Sequence, residues 1–225
     1  MADNRTVVHL ENYGEDFEFL FELKEFLIDK VEKLSQEKDD KKRECFLNGV
    51  YETWTKNREV RTCFPHGHTE LLEMLNPGAE RRLWFVGFIG FKQQKLKSDI
   101  VQRIWKMDSA LVSELRKHPY VVAYMSAERT AGGEWGNLVV MSSDQAVAQW
   151  ESCQIHEKAV IELSPDYYSK VRIHRGRLLE GLRSASFTVD RTLFHEYIGD
   201  NAGWRFIKLW QDAIKSSHYF QVLSK

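Results

Sequence analysis

The chain has 225 residues, with 32 Lys and Arg against 33 Asp and Glu, for a formal net charge of −1. No global field therefore draws it to phosphate backbones or anionic lipid, which sets aside nucleic acid and membrane surfaces as expected partners. Hydrophobic residues at 43% and charged residues at 29% exclude wholesale disorder and suit one domain with an elaboration.

No uncharged stretch approaches the ~20 residues that span a bilayer, and residues 1–10 lack the basic-then-apolar pattern of a signal peptide. Cys45, Cys63 and Cys153 form no Cys-x-x-Cys pair, so they read as small buried hydrophobes. The expectation is a cytoplasmic protein.

In chain order, Phe17, Leu20, Phe21, Leu23, Phe26, Leu27, Val31 and Leu34 recur at three- and four-residue steps and predict an amphipathic helix over 15–35. A charged stretch over 36–43 breaks the pattern. Phe46, Val50 and Trp54 suggest a second helix, and residues 69–75 a short third, stopped by Asn76-Pro77-Gly78. Residues 1–78 thus read as a mainly helical extension.

From residue 83 the texture changes. Residues 83–91 are a continuous apolar run rich in aromatics, and predict a strand. Ser98 begins a helix to about Lys117, before Pro119. Residues 120–129 and 135–142 are strands joined by Thr130-Ala131-Gly132-Gly133, which suits a hairpin. Ser143 or Asp144 caps a helix to about Leu163, and residues 167–175 form a fourth strand closed by Gly176. Two further strands are expected over 186–197 and 204–210, around Gly199-Asp200-Asn201.

The fold class is α+β. Strand, helix, hairpin, helix, strand is the ferredoxin-like β-α-β-β-α-β order, placed over about 82–175 within a second segment of 79–225 that carries extra C-terminal strands. Both faces of the hairpin are apolar, with Val122, Tyr124, Val139 and Met141 on one and Val121, Ala123, Met125, Leu138 and Val140 on the other. The two helices cover one face. The other requires the N-terminal helices, the C-terminal strands or a second subunit's sheet, and a homodimer is the economical expectation.

Several residues stand where an apolar one is expected. On the helix after Ser143, Gln149 and His156 fall on the packing face with Val160 and Leu163, flanked by Trp150 and Cys153. Unpaired, each polar group would cost a few kcal/mol, so partners or a ligand are required. Asp108 falls in the apolar stripe of Ile104, Trp105, Leu111 and Leu115, and is a structural ion-pair member or a proton acceptor.

In the fourth strand Tyr168, Lys170, Arg172 and His174 share one face. Arg172 and His174 suit an anionic group, or pairing to Glu or Asp across a subunit interface. Trp135 and Asn137 share a face of the hairpin, where each orients a ligand or packs. His66-Gly67-His68 with Glu70 is a weak metal pattern. The sequence contains no Gly-x-Gly-x-x-Gly, Gly-x-x-x-x-Gly-Lys-Ser/Thr, Gly-x-Ser-x-Gly or His-Glu-x-x-His.

The order of elements over about 82–175, and the helix Ala146-Val147-Ala148-Gln149-Trp150-Glu151-Ser152-Cys153-Gln154-Ile155-His156, resemble the dimeric α+β barrel superfamily that includes antibiotic-biosynthesis-type monooxygenases. The resemblance implies dimerisation by face-to-face sheets and a pocket lined by Trp150, His156 and Asp108. It implies cofactor-independent oxygenation, cyclisation or isomerisation of aromatic or polyketide-like molecules, or haem binding or degradation. In the haem-degrading branch the iron-binding His matches Val160 here, and the first-strand Asn has no counterpart.

The expected activity is thus an enzyme with no cofactor. His156 is its base or acid, Asp108 its partner, and Trp150, Gln149, Trp105, Asn137, Arg172 and His174 its substrate contacts. A haem protein and a non-catalytic ligand-binding or interaction module are the alternatives.

Overall fold

A computed structural model describes residues 13–39, 41–42, 51–54, 57–66, 69–75, 82–198, 203, 205–209 and 214–215. The class is α+β. Helix α1 (Tyr13–Gln36) is followed by strands β1 (Tyr51–Thr53) and β2 (Glu59–Cys63) and by α2 (Thr69–Leu75). Then come β3 (Leu83–Lys92), α3 (Ser98–Leu115), β4 (Val121–Glu128) and β5 (Trp135–Met141). Three short helices, α4 (Gln145–Glu151), α5 (Gln154–Lys158) and α6 (Ser164–Tyr167), precede β6 (Tyr168–Leu178), β7 (Ser186–Glu196), β8 (Arg205–Leu209) and β9 (Ile214–Lys215).

The strands hydrogen-bond in the order β1-β2-β4-β5-β3-β6-β7-β8, each antiparallel to its neighbour, and β9 pairs with the start of β7. The early chain is less helical than its periodicity predicts: Tyr51–Thr53 is a strand, and β1 and β2 extend the sheet beyond β4. Residues 43–50, with Cys45 and Phe46, lie outside the described residues, as do Asn76-Pro77-Gly78, Gly67, His68 and Gly199-Asp200-Asn201.

The two faces of the sheet are covered by different parts of the chain. On one, α1 buries Phe17, Leu20, Leu23, Leu27 and Val31 completely against Leu83, Phe85, Ile89, Met125, Leu138 and Val140. Close approach depends on two glycines in the strands. A Cβ at Gly87 would lie 2.5 Å from Leu20 Cδ1, and one at Gly136 2.5 Å from Phe19 Cε1. The second face was the reason to expect a partner subunit's sheet; α1 covers it within the chain, and that argument for a homodimer lapses.

On the opposite face lie α3 to α6, over Tyr124, Val139, Met141 and Trp84. Two irregularities shift side chains between faces relative to strict alternation. The β4–β5 register slips between Val121 and Ala123, so Val121 joins the helix-covered face and Val122 the α1 core. The β3–β6 register slips between Phe91 and Lys92, and Tyr168 parts from Arg172 and His174 to face the helices.

The helix expected over 144–163 is interrupted. Cys153 adopts an extended conformation (φ −69°, ψ 118°) between α4 and α5, and Ala159–Leu163 forms a π-helical turn before α6. The phase of an unbroken helix therefore does not carry across Ser152. Ala146, Val147 and Trp150 of α4 face the sheet, whereas Gln149 is exposed, so the anomaly of a polar residue on the packing face disappears there.

Candidate functional site

Between the sheet and helices α3 to α6 lies a cavity of about 420 Å³. That size falls in the range of small-molecule sites, ≈ 300–1,000 Å³. Its walls are mainly aliphatic and aromatic, from Val86 and Phe88 of β3, Met107 and Leu111 of α3, Val139 and Met141 of β5, and Ile173 of β6. The π turn borders it, with Ala159 and Val160 in its wall. Such turns inside helices are frequent at functional sites. A smaller hollow of about 60 Å³ adjoins it, sharing Phe88, Ile104, Asp108, Asn137 and Tyr168.

Of the residues singled out from the sequence, His156, Asp108, Trp150 and Asn137 line the large cavity together. Trp105 lies at the rim instead of in the buried stripe: it is 40% exposed, borders the smaller hollow, and meets Trp135 edge-on at 5.6 Å between ring centroids. Gln149 reaches neither cavity.

Arg172 and His174 lie on the other side of the sheet, beneath α1. Arg172 Nη2 donates to Asp16 Oδ1 at 2.6 Å, and His174 Nε2 contacts Asp16 Oδ2 at 2.9 Å. Burial lowers the His174 pKa, although Asp16 opposes the shift, so near neutral pH Nε2–H donates to Asp16 and Nδ1 accepts from the Thr192 hydroxyl at 2.8 Å. Hydroxyl, imidazole and carboxylate follow the order of a nucleophilic triad. All three are buried and border neither cavity, so the arrangement clamps α1 to β6 and β7.

Asp108 is subject to two opposed influences. Burial pushes its carboxyl up, while Arg61 of β2, whose Nη2 donates to Oδ2 at 2.5 Å, pulls it down. Arg61 Nη2 also reaches the Tyr124 hydroxyl at 3.4 Å. Burial and the nearby Asp108 push the Tyr124 phenol up to about 12, so it remains a proton donor across the neutral range. Tyr168 is raised as well, by burial first.

His156 packs against Trp150 at 5.4 Å between ring centroids. Burial lowers its pKa and Arg175 acts in the same sense, with Glu151 opposing. Its ring makes no hydrogen bond among the described residues, so near neutral pH it presents an uncharged, unengaged imidazole to the cavity. Tyr124, Tyr168, Arg175 and His195 also line the cavity, and Arg61 stands behind Asp108; sequence reasoning gave none of them a place in the site. Arg175 and Ile173 share an alternation, so the arginine's place on the cavity side was readable. Arg61, from a strand outside the central unit, had no such signal.

The His shifts have a testable consequence. His118, His156, His174 and His195 all have pKa values lowered chiefly by burial. The unfolded chain, with His near 6.5, binds the extra protons. Stability should therefore be complete above about pH 6.5 and fall as pH drops toward the folded values. Asp108, raised by burial, acts in the opposite sense in the carboxylate range. Urea midpoints should decrease from pH 7.5 to pH 5.5; a level or rising series would contradict the neutral buried histidines.

Comparison with protein-family models, curated proteins and solved structures finds no match. Among the described residues, no cluster of three or more His, Cys, Asp or Glu side chains is placed to hold a metal ion, and no helix is long and apolar enough to cross a membrane.

Proposed function

We propose that this chain is an enzyme acting on a small, largely apolar, ring-bearing molecule held between the sheet and helices α3 to α6, with His156 as the proton-transfer residue. The observation that supports it most is the unengaged, neutral imidazole of His156 in the wall of a mainly apolar cavity. A general base needs its uncharged form and a path to the substrate, and a base matched to the working pH contributes typically 10²–10⁴ in rate. Trp150, against which His156 packs, provides a flat face for a ring.

His156 takes a proton from an acidic C–H or phenolic O–H of the substrate. Asp108, held by Arg61, serves as second acceptor or orienting group, while the Tyr124 hydroxyl is placed to donate to an oxygen on which charge develops. Isomerisation and cyclisation need only this transfer. An electron-rich anion formed the same way reacts directly with dioxygen, which connects the cavity to cofactor-independent oxygenation.

The order β4-β5-β3-β6, with both helical connections on one face, supports a ferredoxin-like core and the likeness to dimeric α+β barrels. The helix α1 on the opposite face departs from the mode of dimerisation that the likeness implies.

Replacing His156 with Ala should leave the fold intact, since its ring bonds to no described residue, and should lower turnover of an aromatic or polyketide-like substrate by 10²–10⁴. Unchanged turnover would remove the assignment, and binding without turnover in the unmodified protein would favour a ligand carrier.

Haem in the same cavity is the second reading. An unengaged imidazole, apolar walls and Arg175 suit an iron and a propionate, and haem would supply redox chemistry. A Soret band on adding haemin that disappears in His156→Ala would decide for it.

A further inference from the structure

The cavity wall carries one charge that the proposed proton transfer does not use. Arg175 of β6 is largely buried, with its side chain 14% exposed. Its Nη2 donates to Glu151 Oε1 at 2.5 Å, but Glu151 stands at the rim, 51% exposed. Nε and Nη1 of Arg175 are buried and have no hydrogen-bond partner among the described residues. A guanidinium does not deprotonate in a protein, so its N–H donors cannot be relieved by titration. Leaving them unmet away from water is costly, and native structures rarely do so without a ligand or water in the space.

Arg172, three residues earlier in β6 and on the other side of the sheet, also has an unpartnered Nε, but Arg175 has an unpartnered Nη1 as well. Arg172 faces the fully buried Asp16, so a carboxylate within the fold answers its charge. Arg175 has only a carboxylate shared with solvent. The groups beside it in the cavity, His156 and His195, are imidazoles whose pKa values burial lowers, and they add no fixed charge of either sign.

We propose that Arg175 is the anion anchor of this cavity and that its ligand is an apolar carboxylic acid, the ring or chain lying among the aliphatic walls and the carboxylate meeting Arg175. With Glu151 already offsetting part of the charge, the site suits a monoanion and disfavours a phosphate dianion. The inference rests on the reading that the cavity holds a small apolar molecule. It adds the chemical class that the molecule belongs to.

The test is calorimetric titration of the full chain with 2-naphthoate and, separately, with 2-naphthamide, which has the same ring and nearly the same shape but no charge. Naphthoate should bind about ten- to a hundred-fold more tightly. Arg175→Met, which keeps the apolar stem, should abolish that advantage, weakening naphthoate far more than naphthamide. Glu151→Gln, at the exposed rim, should strengthen naphthoate several-fold by releasing Nη2 without affecting naphthamide.

Equal binding of acid and amide by the unaltered protein would overturn the anchor and leave the cavity reading in place. Failure of both probes to bind would overturn the two together. Should Arg175→Met not fold, the acid-to-amide ratio in the unaltered protein and in Glu151→Gln still decides.

Discussion

Asp16→Ala should lower the unfolding free energy by about 3–5 kcal/mol, the usual cost of removing one partner from a buried ion pair. Asp16 is completely buried, and its carboxylate holds Arg172 at 2.6 Å and His174 at 2.9 Å, with Arg129 at 3.7 Å. Without it, the Arg172 guanidinium remains under α1 with no carboxylate facing it, and two arginines sit close together. Against a total stability of about 5–15 kcal/mol, the loss is a large fraction of what keeps a domain folded.

Urea titration followed by tryptophan emission measures it. The double replacement Asp16→Leu with Arg172→Met separates charge from packing: if the cost comes from an uncompensated charge, the double variant should regain most of the stability lost by the single one. A single variant within 1 kcal/mol of the unaltered protein would show that the cluster does not hold the helix down.

That cluster also marks where sequence reasoning reaches its limit. Alternation along 167–175 set Arg172 and His174 on one face and suited them to an anionic ligand or to a carboxylate across a subunit interface; the carboxylate lies within the chain instead. The anion is 156 positions away, on a helix whose own pattern gave no reason to single out an acidic residue in its first turn. Local periodicity orients a side chain but cannot name a partner from a distant element.

The cavity was more accessible because its chemistry breaks a pattern. Asp108 in an apolar stripe and His156 on a packing face both stand out at 3.6-residue spacing, and both line the cavity. Gln149 stood out for the same reason but is exposed, because the chain leaves helical geometry at Cys153 and resets the phase. The residues Val121 and Tyr168 lie beside register slips that a period of two cannot foresee. Trp105 is at the rim because α3 turns Ile104 and Asp108 to the sheet, which leaves the larger ring over Trp135.

A chain beginning at residue 82 should not fold as a monomer. It keeps β3 to β9 and helices α3 to α6, so it retains the cavity in outline, but it loses α1. Phe17, Leu20, Leu23, Leu27 and Val31 are each completely buried against the sheet. At about 1.5–3 kcal/mol per side chain, burial of these five contributes roughly 7–15 kcal/mol, as much as the whole stability of a typical domain. Truncation also exposes Leu83, Phe85, Ile89, Met125, Leu138 and Val140 as a continuous apolar face, and removes the β2 strand that provides Arg61 to Asp108.

The expected product is aggregated, or has strand signal in the far ultraviolet with no cooperative thermal transition. Analytical ultracentrifugation with near-ultraviolet circular dichroism distinguishes this from the other possibility. A well-folded dimer of the truncated chain would mean that two exposed sheets can satisfy each other, and that α1 stands in the full chain where a second subunit would otherwise pack. A folded monomer would contradict the assignment of α1 to the core.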